Sequence, residues 1–460
     1  MSILIKNANI ITATDNYVAD IFIEGETIST IGKNLNVVAD KVIDASGKLV
    51  FPGGIDPHVH LDMPFMGTYS SDNYETGTRA ALFGGTTMVI DFILQKQGNS
   101  LHAALDEWKS RSDNNCVGDY SFHMAVTDFN DETKTEIKDF IEKEGITSFK
   151  TFMAYKGALM IDDRQMIGLM EEVKKHGGLI NVHATNGDMI DYLTQKHRGE
   201  GKLSPLYHYL SQPEVTEAEA SERFVDMSNY TGCPGYIVHL TCEGALNAVR
   251  NATKRNQKVF VETCIQYLIL DASLYEQNFE GAKWVMSPPL REKKDQQTLW
   301  AGINQGLVQV VATDHCPFKW EQKLMGKDDF SKIPNGHPAI ENRMELLFSE
   351  GVAKNKITLN KYVEVACTNP AKIFGMFPRK GTVAVGSDAD LVIFDPKEKH
   401  ILSAKTHHMN VDYSGYEGWE VTGKVKTVLL RGQVAIENNE CKIEKGFGKF
   451  IKRNKVEGKI

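Results

Sequence analysis

Gly53-Gly54-Ile55-Asp56-Pro57-His58-Val59-His60 is a strand-like run that ends on two histidines. The same pattern, branched or aromatic residues closing on a polar side chain or a turn, recurs along the chain. It is met at Val89-Ile90-Asp91-Phe92, Phe122-His123-Met124-Ala125, Phe149-Lys150-Thr151-Phe152, Ile180-Asn181-Val182-His183, Ile237-Val238-His239, Phe260-Val261-Glu262 and Val310-Val311-Ala312-Thr313-Asp314. With the first, that makes eight strands. Helical stretches separate most of them, such as Leu101 to Arg111, Asp131 to Glu144, Asp162 to His176 and Glu243 to Lys254, with capping signals at Asp131 and Asp162. Strands alternating with helices over roughly 300 residues predict a (β/α)₈ TIM barrel. A doubly wound open sheet is the competing arrangement. No G-x-G-x-x-G or Walker A run follows any strand, which weakens its nucleotide-binding form.

Outside this middle the chain reads as β. Ile3-Leu4-Ile5, Ile21-Phe22-Ile23, Thr27 to Ile31 and Lys48 to Phe51 are short branched runs separated by turn signals. The character returns at Gly381 to Gly386, Asp390 to Phe394, Val425 to Leu430 and Gln433 to Ile436. We therefore expect a small β-sandwich built from both termini, residues 1–51 and 376–460, with the barrel inserted as residues 52–375.

Composition narrows the function classes. The 460 residues are 42% hydrophobic and 24% charged, globular values that exclude a disordered or fibrous chain. The net charge of −8 is interspersed apart from a basic tail, Lys445 to Lys459, so nucleic acid and anionic membrane surfaces are poor partners. The seven cysteines contain no C-x-x-C pair, which argues for reduced thiols rather than a disulfide framework or a zinc knuckle. The first residues show no basic segment leading into a long apolar one, and no run of about 18 apolar residues occurs. A cytoplasmic protein that neither binds nor spans membranes is the expectation.

The chemistry gathers at strand ends. His58 and His60 are two apart on one strand, so both side chains point the same way. At the C-terminal end of a barrel strand that way is the active-site mouth, and two imidazoles converging there begin a metal site. His183, His239 and Asp314 end the fifth, sixth and eighth strands, each followed by polar or turn-like sequence. Four histidines and an aspartate meeting around one axis are hard to explain as packing. Lys150 is the odd member, inside an apolar run at the fourth strand end. A cation beside divalent metals is unfavourable, and a buried lysine loses its charge or finds a partner. Addition of CO₂ to the neutral amine would turn it into an anionic carbamate able to bridge two metals. His102, His123, His176, His197, His208, His337, His400, His407 and His408 read as ordinary, while His315 is ambiguous between an ordinary residue and an orienter of loops beside Asp314.

At this point the chain resembles a known family. PGGIDPHVHLD, SFKTFMAYKG, INVHATNGD, YIVHLTCEGA, CIQYLILD, MSPPLREKKDQ, ATDHCPF, IPNGHPAIENR and GMFPRKGTVAVGSDADLVIFDP are similar, in order, to the dihydropyrimidinase/hydantoinase branch of the cyclic amidohydrolases, closest to bacterial D-hydantoinases. The resemblance implies two divalent ions per subunit, zinc or manganese. His58, His60 and Asp314 would bind one and His183 and His239 the other, with a carboxylated Lys150 (N6-carboxylysine) bridging them. It implies attack on a ring amide by a hydroxide between the metals, with Asp314 moving the proton and Tyr155 stabilising the oxyanion. Ser287 and Asn335 would hold the cyclic ureide or imide, and Phe65, Phe152 and Leu159 its substituent. A homotetramer is implied as well. Within enzymes, dihydroorotase is disfavoured because Asp62 stands where its pattern places an arginine, and allantoinase because its polar ureido group suits these apolar residues badly. A non-enzymatic interaction protein of the same fold would lack the ligand set.

Overall fold

In the computed structural model, which describes residues 2–456, the eight strand-like runs form one parallel sheet in chain order. They are β1 (Gly54–Val59), β2 (Thr86–Leu94), β3 (Asp119–Ala125), β4 (Ser148–Phe152), β5 (Leu179–His183), β6 (Gly235–Ile237), β7 (Val259–Cys264) and β8 (Val310–Ala312). Every residue in them is buried except Leu94, as expected of parallel strands covered on both faces. That is why they read as nearly unbroken apolar runs rather than as alternating ones.

The sheet closes between β1 and β8. His60 N donates to His315 O at 2.8 Å, His315 N donates to His58 O at 3.3 Å, and Val59 and His315 form a parallel bridge. Polar groups reinforce this seam. Asp56 Oδ2 accepts from Thr313 Oγ1 at 2.6 Å. The fully buried Arg343 donates to Ile55 O and Val311 O, both at 2.9 Å, and stands 3.9 Å from Asp56. One guanidinium thus spans the first and last strands.

The helices form where expected, with one shift. Leu101–Ser112 is capped by Ser100, Asp163–His176 by a reciprocal box of Asp162 and Gln165, and Glu243–Lys254 has the anticipated bounds. The helix Asp131–Asp139 is capped by Asn130, one residue before the expected Asp131. Asn130 is extended, so its amide oxygen reaches the free N–H groups of Glu132 and Thr133, while Asp131 supplies negative charge to the first turn.

Strands from both termini share a separate nine-stranded sheet. Leu49–Pro52 is its hinge, parallel to Ser2–Ile11 on one side and antiparallel to Leu391–Ile401 on the other. Alternation divides its side chains between two cores. Val50, Leu391, Ile393 and Leu429 join Ile3, Ile5, Ile21 and Ile23 in a core of the sheet's own. Phe51, Val392, Phe394 and Val428 face the barrel's core. Gly381 to Gly386, expected as a strand, is a turn: both glycines have positive φ (82° and 89°), a backbone that ends strand geometry. Lys380 next to it is buried among Asp119, Asp388 and Asp390, and ties this sheet to the N-terminal end of β3. We propose residues 51/52 and 375/376 as the domain seams. Lys459 of the basic tail and the end of the 376–460 segment lie outside the described residues. Among the described residues no helix is long and apolar enough to cross a membrane.

Replacing Arg343 by Met leaves Asp56 buried without a cation and removes a donor from two strand carbonyls. It should lower the unfolding free energy by about 3–5 kcal/mol, the usual result of removing one partner of a buried ion pair. Denaturant titration measures this, and an unchanged midpoint would mean that strand hydrogen bonds alone hold the seam.

Candidate metal centre

The structure brings all twelve residues singled out in the sequence to the wall of one cavity: His58, His60, Lys150, His183, His239, Asp314, Tyr155, Ser287, Asn335, Phe65, Phe152 and Leu159. The first six come from five strand ends at one rim of the barrel. His58 lies in β1 with His60 just beyond it, Lys150 in β4, and His183 closes β5. His239 and Asp314 follow β6 and β8 by two residues.

Their donor atoms converge. Asp314 Oδ1 is 3.1 Å from His58 Nε2 and 3.0 Å from His60 Nε2. Ligand atoms of His58, His239 and Asp314 all lie within 4.8 Å of one another. His183 Nδ1 faces His239 Nε2 at 2.8 Å. His60 Nδ1 is buried without a hydrogen-bond partner. Lys150 is 1% exposed, and among the described residues its amine has no hydrogen bond or ion pair, only the faces of Phe92 and Phe152 at 5.1 and 5.3 Å. A compact N/O donor set sharing its cavity with an unpartnered amine fits divalent ions such as zinc or manganese. The other cluster of three carboxylates, at the far end of the barrel, is filled by Lys380.

Glu262, within β7, orients the set. It is fully buried, and its Oε1 pairs with His58 Nδ1 and accepts from His239 N at 3.1 Å, while Oε2 accepts from Tyr236 at 2.8 Å. A carboxylate on Nδ1 keeps the His58 proton on that side and leaves Nε2 facing the cavity. Residues carrying the site also bear backbone strain. Tyr155, His239 and Asp314 have φ of 63°, 40° and 52°, a left-handed region that costs a non-glycine residue about 1–3 kcal/mol.

Charge is distributed unevenly. Burial pushes His60, His183 and His239 below the ordinary imidazole value, so each offers a lone pair near neutral pH. Burial acts the same way on His58, but Glu262 and Asp314 outweigh it and raise that imidazole to about 9. Burial would raise Asp314, yet His58 and His60 hold its carboxyl well below the usual range. Burial pulls Lys150 down to about 7 against the pull of Glu262 and Asp314, which makes its neutral form accessible. Burial, helped by Asp314, raises the Tyr155 phenol and keeps it a hydrogen-bond donor.

The inner cavity encloses about 60 Å³ and opens into a cleft of about 460 Å³. One wall is polar: Ser287 Oγ accepts from Asn335 Nδ2 at 3.2 Å and from Gln212 Nε2 at 3.1 Å. The other is apolar, with Phe65, Phe152 and Leu159 beside Met63 and Leu94. Asp62 lies outside both spaces and is paired with Arg111 at 3.8 Å, and Arg111 lines neither space.

Sequence reading passed over Glu262, although it ends the seventh apolar run just as His183 ends the fifth. It also passed over Phe92 and Cys316 of the lining, which carry no pattern of their own, whereas Met63 belongs to the apolar Met63-Pro64-Phe65-Met66 loop expected at the barrel mouth. His315 does orient loops: its Nε2 pairs with Asp72 at 3.1 Å and its Nδ1 accepts from Ala339 N at 3.1 Å. His123, read as ordinary, lies outside the cavity lining but builds the floor, stacked on Phe92 at 4.7 Å with Nε2 on Pro57 O at 3.0 Å.

The model of the amidohydrolase family matches residues 49–435. The D-hydantoinase of Geobacillus stearothermophilus is 48% identical over 457 residues, 99% of this chain and 97% of that protein. The dihydropyrimidinase of Rattus norvegicus is 39% identical over 459 residues, 98% of this chain and 88% of that protein. The crystal structure of dihydropyrimidinase from Brevibacillus agri superposes with a TM-score of 0.98 at 47% identity, covering 99% of both chains. With a rim of metal-binding side chains, a matching barrel and this identity along nearly its whole length, the chain belongs to the amidohydrolase family.

Proposed function

We propose that this chain is a metal-dependent cyclic amidohydrolase that opens 5-substituted hydantoins to N-carbamoyl amino acids and dihydropyrimidines to N-carbamoyl β-amino acids. The observation that carries the reading is the buried Lys150 amine, without a polar partner among the described residues, in one cavity with four imidazoles and a carboxylate. Its neutral form can add CO₂: the nitrogen lone pair bonds to carbon, one proton leaves, and the side chain becomes an anionic carbamate. His58, His60 and Asp314 would then hold one ion and His183 and His239 another, with Lys150 between, zinc first and manganese second. When bound, such ions supply an acidic water and polarise the ring carbonyl.

The residues of the chain do the rest. Asp314 takes the proton of the attacking water and returns it to the ring nitrogen as the C–N bond breaks. Tyr155 donates to the oxygen that becomes negative at the tetrahedral stage. Ser287 and Asn335 orient the ring, and Phe65, Phe152 and Leu159 receive its exocyclic group. The high identity to proteins named D-hydantoinase supports preference for the D enantiomer. A homotetramer is what the family resemblance implies, and seven cysteines without a C-x-x-C pair suit a reducing cytoplasm.

The direct test is ring opening of hydantoin and dihydrouracil together with metal analysis. Chelation should abolish turnover, and zinc or manganese should restore it. Lys150→Ala should lose metal and activity, and small carboxylic acids should partly restore both. Glu262→Gln should weaken metal binding about 10–100-fold by freeing His58. A fully active, fully metallated Lys150→Ala protein would sink the reading.

Proton transfer and oxyanion stabilisation separate by mutation. Tyr155→Phe should keep its metals while kcat falls about 10²–10³-fold, as when one oxyanion donor is removed. Asp314→Asn should lose about 10²–10⁴-fold or more and hold metal less well. Near-normal turnover in either variant would strike that residue from the mechanism.

The apolar wall predicts a size preference. Leu159→Ala should raise kcat/KM for phenyl- over methyl-hydantoin, and Phe65→Ala should also change the ranking. Shifts of about 10–200-fold are the most that a few methylenes give. An unchanged ranking of methyl, isopropyl and phenyl substrates in both variants would leave these loops without a part in selection.

A further inference from the structure

The four-residue helix Trp320–Lys323 lines neither the inner cavity nor the outer cleft. Lys323 is nevertheless wholly buried, and among the described residues no carboxylate pairs with it. Its amine nitrogen faces three acceptors instead: Val285 O at 3.0 Å, Pro334 O at 2.7 Å and Gly336 O at 2.9 Å. Pro334 and Gly336 flank Asn335, and Val285 lies two residues before Ser287. The same Val285 carbonyl accepts from Gly336 N at 2.9 Å. The Gly336 loop is also pressed onto the segment beyond Asp314. A Cβ on Gly336 would stand 2.0 Å from Cys316 O, and Cys316 N donates to His337 O at 3.2 Å. One side chain therefore joins the two loops that form the polar wall, against the segment that carries Asp314.

The preceding residue reaches the opposite wall. Gln322 Nε2 donates to Thr68 Oγ1 at 2.7 Å and to Tyr69 O at 2.8 Å, while its Oε1 accepts from Lys319 N at 2.7 Å. Thr68–Tyr69 is the returning strand of a hairpin whose outgoing strand is Pro64–Phe65, with Phe65 opposite Thr68. Phe65 belongs to the apolar wall.

We infer that Gln322 and Lys323 are positioning residues for the reaction proposed above, Lys323 setting the polar wall that reads the ring and Gln322 the apolar wall that reads the substituent. The inference rests on that functional reading. Removing Lys323 takes a donor from all three carbonyls and leaves the Ser287 and Asn335 loops held by the Gly336 N–Val285 O and Asn335–Ser287 bonds alone, which loosens their register. Removing Gln322 frees the hairpin without touching those loops. A merely structural pair would instead lower the fraction of folded enzyme, reducing kcat alike on every substrate with KM unchanged.

The test uses full-length, metal-loaded enzyme on unsubstituted hydantoin and on its 5-methyl, 5-isopropyl and 5-phenyl derivatives. Lys323→Met should raise KM about 10-fold or more on every ring, with kcat within about threefold and metal content as in wild type. Lys323→Gln keeps two of the three donors and takes its place if Lys323→Met does not fold. Gln322→Ala and Thr68→Ala should leave unsubstituted hydantoin unaffected and change the phenyl-to-methyl ratio of kcat/KM by about 3–10-fold. Unchanged KM in the Lys323 variants, or equal effects on all four substrates in the Gln322 variant, would overturn the inference. If the wild-type chain opens none of these rings, it is the functional reading that fails. Amide hydrogen exchange then decides the present point: Lys323 variants must quicken exchange at residues 334–337, and Gln322→Ala at 64–69.

Discussion

Closure of the barrel between β1 and β8 is the constraint on which the site depends. His58 and His60 come from one side of that seam and Asp314 from the other, 250 residues later in the chain. They approach to about 3 Å only because the first and last strands pair. The pairing is short, with two backbone hydrogen bonds and one bridge. Asp56, Thr313 and Arg343 carry the rest, all of them fully buried. The polar groups at the seam are therefore part of what brings the site together. Asp56 lies two residues before His58, and Thr313 directly before Asp314, so the seam and the site share the same few residues.

A barrel rim gathers side chains without regard to whether they are compatible. Four imidazoles and an ammonium around one carboxylate would carry a large positive charge in a space from which water is largely excluded, and low dielectric makes that arrangement costly. The structure relieves it in two ways. Three of the imidazoles are driven neutral by burial, and the fourth is paired with Glu262. Among the described residues the Lys150 amine makes no hydrogen bond or ion pair, and the faces of Phe92 and Phe152 lie beside it. Conversion of this amine to an anion by CO₂, with cations taken up between the ligands, reverses the sign of the problem: the groups that repel one another without metal attract through it.

Much of this was legible in the chain because barrel strands bury both faces. Their runs are apolar without interruption, so a His, Lys or Asp at the end of one stands out, and the eight runs mark both the fold and the rim. Glu262 stood out equally, but a carboxylate orienting a histidine is indistinguishable in sequence from one binding metal or capping a helix. Lys323 and Gln322 were illegible for another reason. They act on backbone carbonyls and on a hairpin far along the chain, and such contacts leave no mark on residue type or spacing. The Asn130 cap and the turn at Gly381 to Gly386 show the local limit: a choice between neighbouring polar residues, or between a turn and a strand, is settled by backbone angles that tertiary packing selects.

Glu262 also explains how the strained residues persist. His239 sits at φ 40°, a conformation that relaxes unless something outside it fixes the backbone. Its N–H donates to the Glu262 oxygen that also pairs with His58 Nδ1, so one buried oxygen fixes a backbone on one strand and a ring on another. The second Glu262 oxygen is taken by Tyr236. With both oxygens engaged, Glu262 is held below the donor cluster as its support. Rotation of Glu262 would free the His58 ring and the His239 backbone together, so the positions of these two imidazoles are coupled through a residue that need never touch metal or substrate.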